Sequence, residues 1–171
     1  MNTYLVLTVI GDDKPGLVES LSSVIAENQG NWLESSMSQL AGKFAGILRV
    51  SVSKDNMSSL VGALQGLSSE LKLVIEEAQD AGEGEQPHTV ELSLMGNDRP
   101  GIVREISHAL AVLSVNVEQL NTECTAAPMS GAPLFKTTAV LKVPTGLALE
   151  DLQKELEGLA DDLMVEIRAG E

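Results

Sequence analysis

Two short segments place charged side chains and backbone groups where they could grip a small zwitterion. They are Gly11-Asp12-Asp13-Lys14-Pro15-Gly16-Leu17-Val18 and, 85 positions later, Gly96-Asn97-Asp98-Arg99-Pro100-Gly101-Ile102-Val103. Each reads as a turn leading into a helix. The first N–H groups of a helix lack intrahelical partners and stand at the positive end of its dipole, so a glycine there, Gly16 or Gly101, lets an α-carboxylate approach the backbone. Asp13 and Asp98 stand beside that point, where a carboxylate can accept hydrogen bonds from an α-ammonium group. Fifteen residues after each glycine comes an asparagine, Asn31 or Asn116, whose amide both donates and accepts. The same residues admit a second reading: Asp-x-Pro-Gly is also a sound turn and cap, the carboxylate satisfying the helix N-terminus and nothing else.

Other chemistries find little in the chain. His88 and His108 lie 20 residues apart, with no cysteine or carboxylate at metal-ligand spacing around them. Cys124, the single cysteine, falls in a strand-like run with no base or helix end beside it to lower its pKa. No G-x-S-x-G, phosphate-binding loop or dinucleotide fingerprint occurs, so the chain is read as a non-enzyme without cofactor or metal. Nucleic-acid recognition on a sheet would need paired aromatics and basic flanks, whereas Phe44 and Phe135 each stand alone.

The elements that must position the two turns follow from periodicity. Tyr4–Ile10 is a β-branched and aliphatic run ending at Gly-Asp-Asp, a strand entering a turn. After Pro15, the apolar residues Leu17, Leu21, Val24 and Ile25 recur at helical spacing until Gly30. Asn31–Leu40 and Phe44–Ser53 flank the hairpin-sized Ala41-Gly42-Lys43. Asp55 or Asn56 is placed to cap a second helix with Met57, Leu60, Val61, Leu64 and Leu67 on one face, and Leu71–Glu77 closes the half as a fourth strand. The second half repeats this order over His88–Met95, Gly101–Leu113, Asn116–Thr125, Leu134–Val143, Leu149–Ala160 and Leu163–Arg168. The pattern β-α-β-β-α-β, written twice, predicts an α+β protein of two tandem ferredoxin-like domains, each a four-stranded antiparallel sheet with two helices on one face. The domains are placed at 1–79 and 88–171, joined by a polar, Gly-containing linker at 80–87. From Phe44 to Phe135 the offset has grown from 85 to 91, so six residues are inserted in Ala126–Pro133. That segment is too proline-rich to extend a ladder, and two placements are open: packing on another surface, or a longer hairpin closing over its own sheet.

Composition bounds the rest. Halves this small have marginal cores, so packing between halves or between copies of the chain, a homodimer included, is expected to contribute. Only 2% of residues are aromatic, which leaves the cores to Leu, Val, Ile, Ala and Met. Trp32, the sole tryptophan, is read as core or interface packing. The net charge of −14 would repel a phosphate backbone. With no signal-like start and no apolar stretch near 18 residues, the chain is expected to be soluble and cytoplasmic, away from membranes.

The first-strand run, the D-x-P-G-[LI]-V turn, the helix after it and the asparagine opening the next strand together resemble the ACT domain, a small-molecule-sensing module of amino-acid metabolism, present here as two copies. That resemblance implies effector binding at the turn and against the second strand of a neighbouring domain, and so implicates Asp13, Gly16 and Asn31 with Asp98, Gly101 and Asn116. Within the family, N-D-R-P-G-I-V and Thr125–Phe135 look most like the glycine cleavage system transcriptional repressor group. This likeness implies a regulator that senses a small amino acid such as glycine and restrains a LysR-type activator by protein contact, without touching DNA. The alternative is a pure interaction module whose turns are only structural.

Overall fold

The computed structural model describes residues 1–78 and 88–170. The chain forms two compact units, Met1–Gly82 and Glu83–Glu171; the expected linker at 80–87 lies outside the described residues. The first unit contains β1 (Asn2–Asp12), α1 (Leu17–Glu27), β2 (Asn31–Leu40), β3 (Lys43–Ser53), α2 (Lys54–Gln65) and β4 (Lys72–Glu77). The second repeats them as β5 (His88–Asn97), α3 (Ile102–Val112), β6 (Asn116–Ala126), β7 (Pro133–Val143), α4 (Leu149–Glu157) and β8 (Met164–Ala169). Both sheets are antiparallel, ordered β2-β3-β1-β4 and β6-β7-β5-β8. This is the twofold βαββαβ architecture that the repeat predicts.

Alternation along the central strands separates two faces of each sheet. Leu5, Leu7 and Val9 of β1 and Leu48, Val50 and Val52 of β3 point inward against Leu21 and Ile25 of α1 and Leu60 and Leu64 of α2. In the second unit Leu92 and Leu94, Leu141 and Val143 meet Ile106, Leu110, Leu152 and Leu156 in the same way. Trp32 packs against the first core. Both second strands carry a register shift at the same place, between Trp32 and Glu34 and between Val117 and Gln119. A bulge of one residue there turns the strand end without losing the ladder.

Local expectations fail at two points. Neither Asp55 nor Asn56 caps α2; both lie inside its first turn, and Ser53 holds the cap position without a side-chain hydrogen bond. Helix α4 ends at Glu157, short of Ala160, because Gly158 takes the cap position and Leu159 N–H already turns back to the Leu156 carbonyl. The inserted 126–133 segment makes a longer hairpin between β6 and β7. It folds on itself through Ala127 N–H to the Ala132 carbonyl (2.8 Å) and Gly131 N–H to the Ala127 carbonyl (3.0 Å), leaving Met129 fully exposed.

Candidate functional site

Each turn is built by the end of the first strand and held by three neighbours. In the first unit, Asp13 N–H donates to the Gly42 carbonyl of the β2–β3 hairpin (2.9 Å), and Lys14 Nζ pairs with Glu70 of the α2–β4 connection (3.0 Å). Lys43 pairs with Asp12 and holds that carboxyl below its usual range, by hydrogen bond first and then by charge. In the second unit, Asp98 N–H donates to the Pro133 carbonyl (3.1 Å), so the six-residue insertion ends directly on the turn. Asp162 accepts from Asn97 N–H (2.7 Å), and the Arg99 guanidinium bonds Glu105 (2.9 Å). Glu70 and Asp162 stand at equivalent places, yet one grips a side chain and the other a backbone N–H. Neither shows in sequence, because each acts across more than fifty residues on a partner of no fixed type.

The helices then start without side-chain help. Gly16 and Gly101 occupy the N-cap positions in the left-handed conformation, at φ 93° and 88°, and neither helix has a side-chain cap bond. A β-carbon built on either glycine would meet nothing within 4 Å, so backbone conformation and not crowding accounts for the residue type. The first helical bonds run from Ser20 N–H to the Gly16 carbonyl (2.9 Å) and from Glu105 N–H to the Gly101 carbonyl (3.0 Å). In α1 the N–H groups ahead of Ser20 therefore have no helical carbonyl to meet. Asp13 and Asp98 are exposed. The capping role that Asp-x-Pro-Gly suggests is not the one their carboxylates perform.

Gly11 and Gly96, one step before the turns, are glycines for another reason. A β-carbon at Gly11 would stand 2.5 Å from the Glu70 carbonyl oxygen, and one at Gly96 would stand 2.5 Å from Leu163 Cδ2. The connection into the last strand leaves no room for a side chain at Gly11, where its backbone is in the way, and at Gly96 the end of the Leu163 side chain fills that space.

The asparagines are elsewhere. Asn31 pairs with Ser51 and Asn116 with Lys142, whereas Asp12 pairs with Lys43 and Asn97 with Leu134. Within one unit the turn and the asparagine thus lie at opposite ends of the sheet, roughly 25 Å apart at ordinary strand rise. Asn31 is exposed, and Asn116 is exposed with its Nδ2 donating to Glu118 (2.9 Å). The structure brings Asp13 to Gly16 and Asp98 to Gly101, and joins neither pair to the asparagine of its own unit.

Cys124, exposed on β6, is the residue that sequence reasoning did not connect to the turn. It pairs with Phe135, which pairs in turn with Gly96, and its thiol is pushed up by local burial and then by the charge and hydrogen bonding of Asp98. A thiol so placed stays protonated and is a poor nucleophile. Among the described residues no group of three or more His, Cys, Asp or Glu side chains could hold a metal ion.

Both units are ferredoxin-like sandwiches in which the turn from the first strand into the first helix carries a glycine N-cap beside an exposed aspartate. A family model of the ACT domain matches residues 3–77. A UPF0237 protein of Methanopyrus kandleri is 40% identical over 81 residues, which cover 47% of this chain and 77% of that protein. The chain belongs to the ACT-domain family. Two solved structures are similar over essentially the full length of both chains. One, an unknown protein from Galdieria sulphuraria, has a TM-score of 0.87 at 24% identity, covering 100% of each chain. The other, a candidate glycine cleavage system transcriptional repressor, has a TM-score of 0.72 at 18% identity, covering 99% of each. These likenesses show the tandem fold. No helix of the described residues is long and apolar enough to cross a membrane.

Proposed function

We propose that the protein is a non-enzymatic, amino-acid-responsive regulator of transcription that acts through protein contact. The observation that carries this reading is the state of the two turns: helix N-termini whose first N–H groups have no side-chain cap, flanked by exposed aspartates that cap nothing. An α-carboxylate on those N–H groups and an α-ammonium on Asp13 or Asp98 would satisfy both at once. Glycine is the effector proposed, on the likeness to a glycine cleavage system transcriptional repressor. Asn31 and Asn116 would reach a turn only from a neighbouring domain, as the family resemblance implies. The partner proposed is a LysR-type activator, restrained until the effector is sensed, and the net charge of −14 favours a protein over a promoter.

A pure interaction module is the second reading. It is favoured by the distance that separates each asparagine from the turn of its own unit. Calorimetry with glycine and a panel of other amino acids, run beside thermal melts of wild type, Asp98→Ala and Asn116→Ala, separates the two. The sensing reading expects saturable binding by wild type, weakened in both variants with melting points nearly unchanged. Absence of binding for every amino acid in the wild type removes it.

A further inference from the structure

Asp98 touches both legs of the inserted hairpin. Its N–H donates to the Pro133 carbonyl at the start of β7 (3.1 Å). Its carboxylate meets the Cys124 thiol near the end of β6, which register sets beside Phe135 and, through it, beside Gly96. In the first unit Asp13 donates likewise to the Gly42 carbonyl (2.9 Å), but there Ala41 and Gly42 alone close the hairpin, at φ 51° and 80°, and Gln39 holds the place of Cys124. The second hairpin continues for residues 127–132 beyond the Ala126–Pro133 pair, closed by Ala127 N–H to the Ala132 carbonyl and Gly131 N–H to the Ala127 carbonyl. Those bonds are local, so the legs tie this arm to the fold. Residues 124–135 carry no charge in a chain that is 21% charged, and Met129 stands exposed at the tip. The first unit makes the same sheet without such an arm, so folding does not require it.

From this arrangement we infer that the hairpin is the output arm of the second turn: an effector ammonium group held by the Asp98 carboxylate fixes the residue that anchors both legs, and the arm becomes more ordered. The inference rests on the sensing role proposed for the turns and adds how one of them reports. Asp98 is shared between effector and arm, so the coupling runs both ways: whatever orders the arm favours the effector as much as the effector favours the ordered arm. An ordered arm presents its apolar, methionine-tipped end to a protein partner at a smaller entropy cost than a loose one. The first turn has no arm to set, so the two turns are unequal in what they can report even where they bind the same effector.

Amide hydrogen exchange by NMR on the full chain, with glycine as the ligand, tests it beside calorimetry. Saturating glycine should slow exchange of the Ala127 and Gly131 amides by about fivefold or more. Gly131 stands at φ 66°, where a β-branched side chain is strained. Gly131→Val should therefore loosen the arm and weaken glycine binding by about threefold or more at an unchanged melting point. Deleting 127–132 together with Pro133→Gly recreates the Ala-Gly turn of the first unit and keeps the carbonyl that Asp98 N–H meets. That shortened chain should bind glycine at least as tightly as wild type, since no arm remains to be ordered. Glycine that binds without slowing the two amides overturns the inference and leaves the sensing reading standing. A Gly131→Val chain with wild-type affinity, or a shortened chain that folds and binds more weakly than wild type, overturns it equally. Absence of glycine binding by the wild type removes the inference together with the reading on which it rests.

Discussion

Asp98 stands beside a helix end that it does not cap, and this separates a binding role from a structural one. Asp98→Ala should leave the melting point nearly unchanged, since surface changes away from caps and cores fall within about 0.5 kcal/mol. A drop of many degrees would show instead that the carboxylate supports the turn. The glycines one step earlier divide in the opposite sense. Gly11→Ala drives a methyl into a backbone carbonyl, whereas Gly96→Ala meets the end of a leucine side chain, which can move. Both should destabilise, with Gly11→Ala the costlier at about 2–3 kcal/mol and Gly96→Ala nearer 1, read by chemical denaturation. Equal costs would mean that the connections at Glu70 and Leu163 yield alike. The pairing of Asp13 with Gly16 and Asp98 with Gly101 was legible in sequence because it is local. The approach of Cys124 to Asp98 was not, since it runs through two strand pairings, and neither was the separation of each asparagine from the turn of its own unit, because spacing along a chain says nothing about which end of a sheet a strand begins from.

Among the elements, strand and helix order could be read almost residue by residue, because apolar alternation and helical spacing survive in both copies and each copy checks the other. Ends were less legible: Gly158 stops α4 a turn earlier than the apolar pattern suggests, and the caps of α2 and of both turn-bearing helices are made without side-chain bonds. The inserted hairpin was legible as an insertion and not as a shape, since its fold rests on backbone bonds among small residues. One buried polar group ties an edge strand to its sheet. Thr137 is 4% exposed and its Oγ1 donates to the Asn121 carbonyl of β6 (2.8 Å). Thr137→Val should cost about 1 kcal/mol and hasten amide exchange along β6 ahead of β5 and β7. Uniform loss of protection through the sheet would show that the bond serves the whole unit. The core behaves more simply: Leu152→Ala, at a side chain with no exposure, should cost about 2–5 kcal/mol.

At the scale of the whole molecule, 25 acidic residues against 11 basic ones give a net charge of −14, which repels a phosphate backbone. The purified chain should therefore not retard promoter DNA at physiological salt, and a specific shift without any other protein would contradict a regulator that works by protein contact. The duplicated architecture was legible from one repeated octapeptide; which residues face outward on each sheet was not, because that emerges only when register assigns each residue a side. What the molecule senses turns on the ligand itself. The most direct measurement is calorimetric titration of glycine into the full chain and into Asp98→Ala, with a thermal melt of each. The account predicts saturable binding by wild type and weaker binding by the variant at an unchanged melting point. No heat from glycine or any other amino acid with a correctly folded wild type would contradict it.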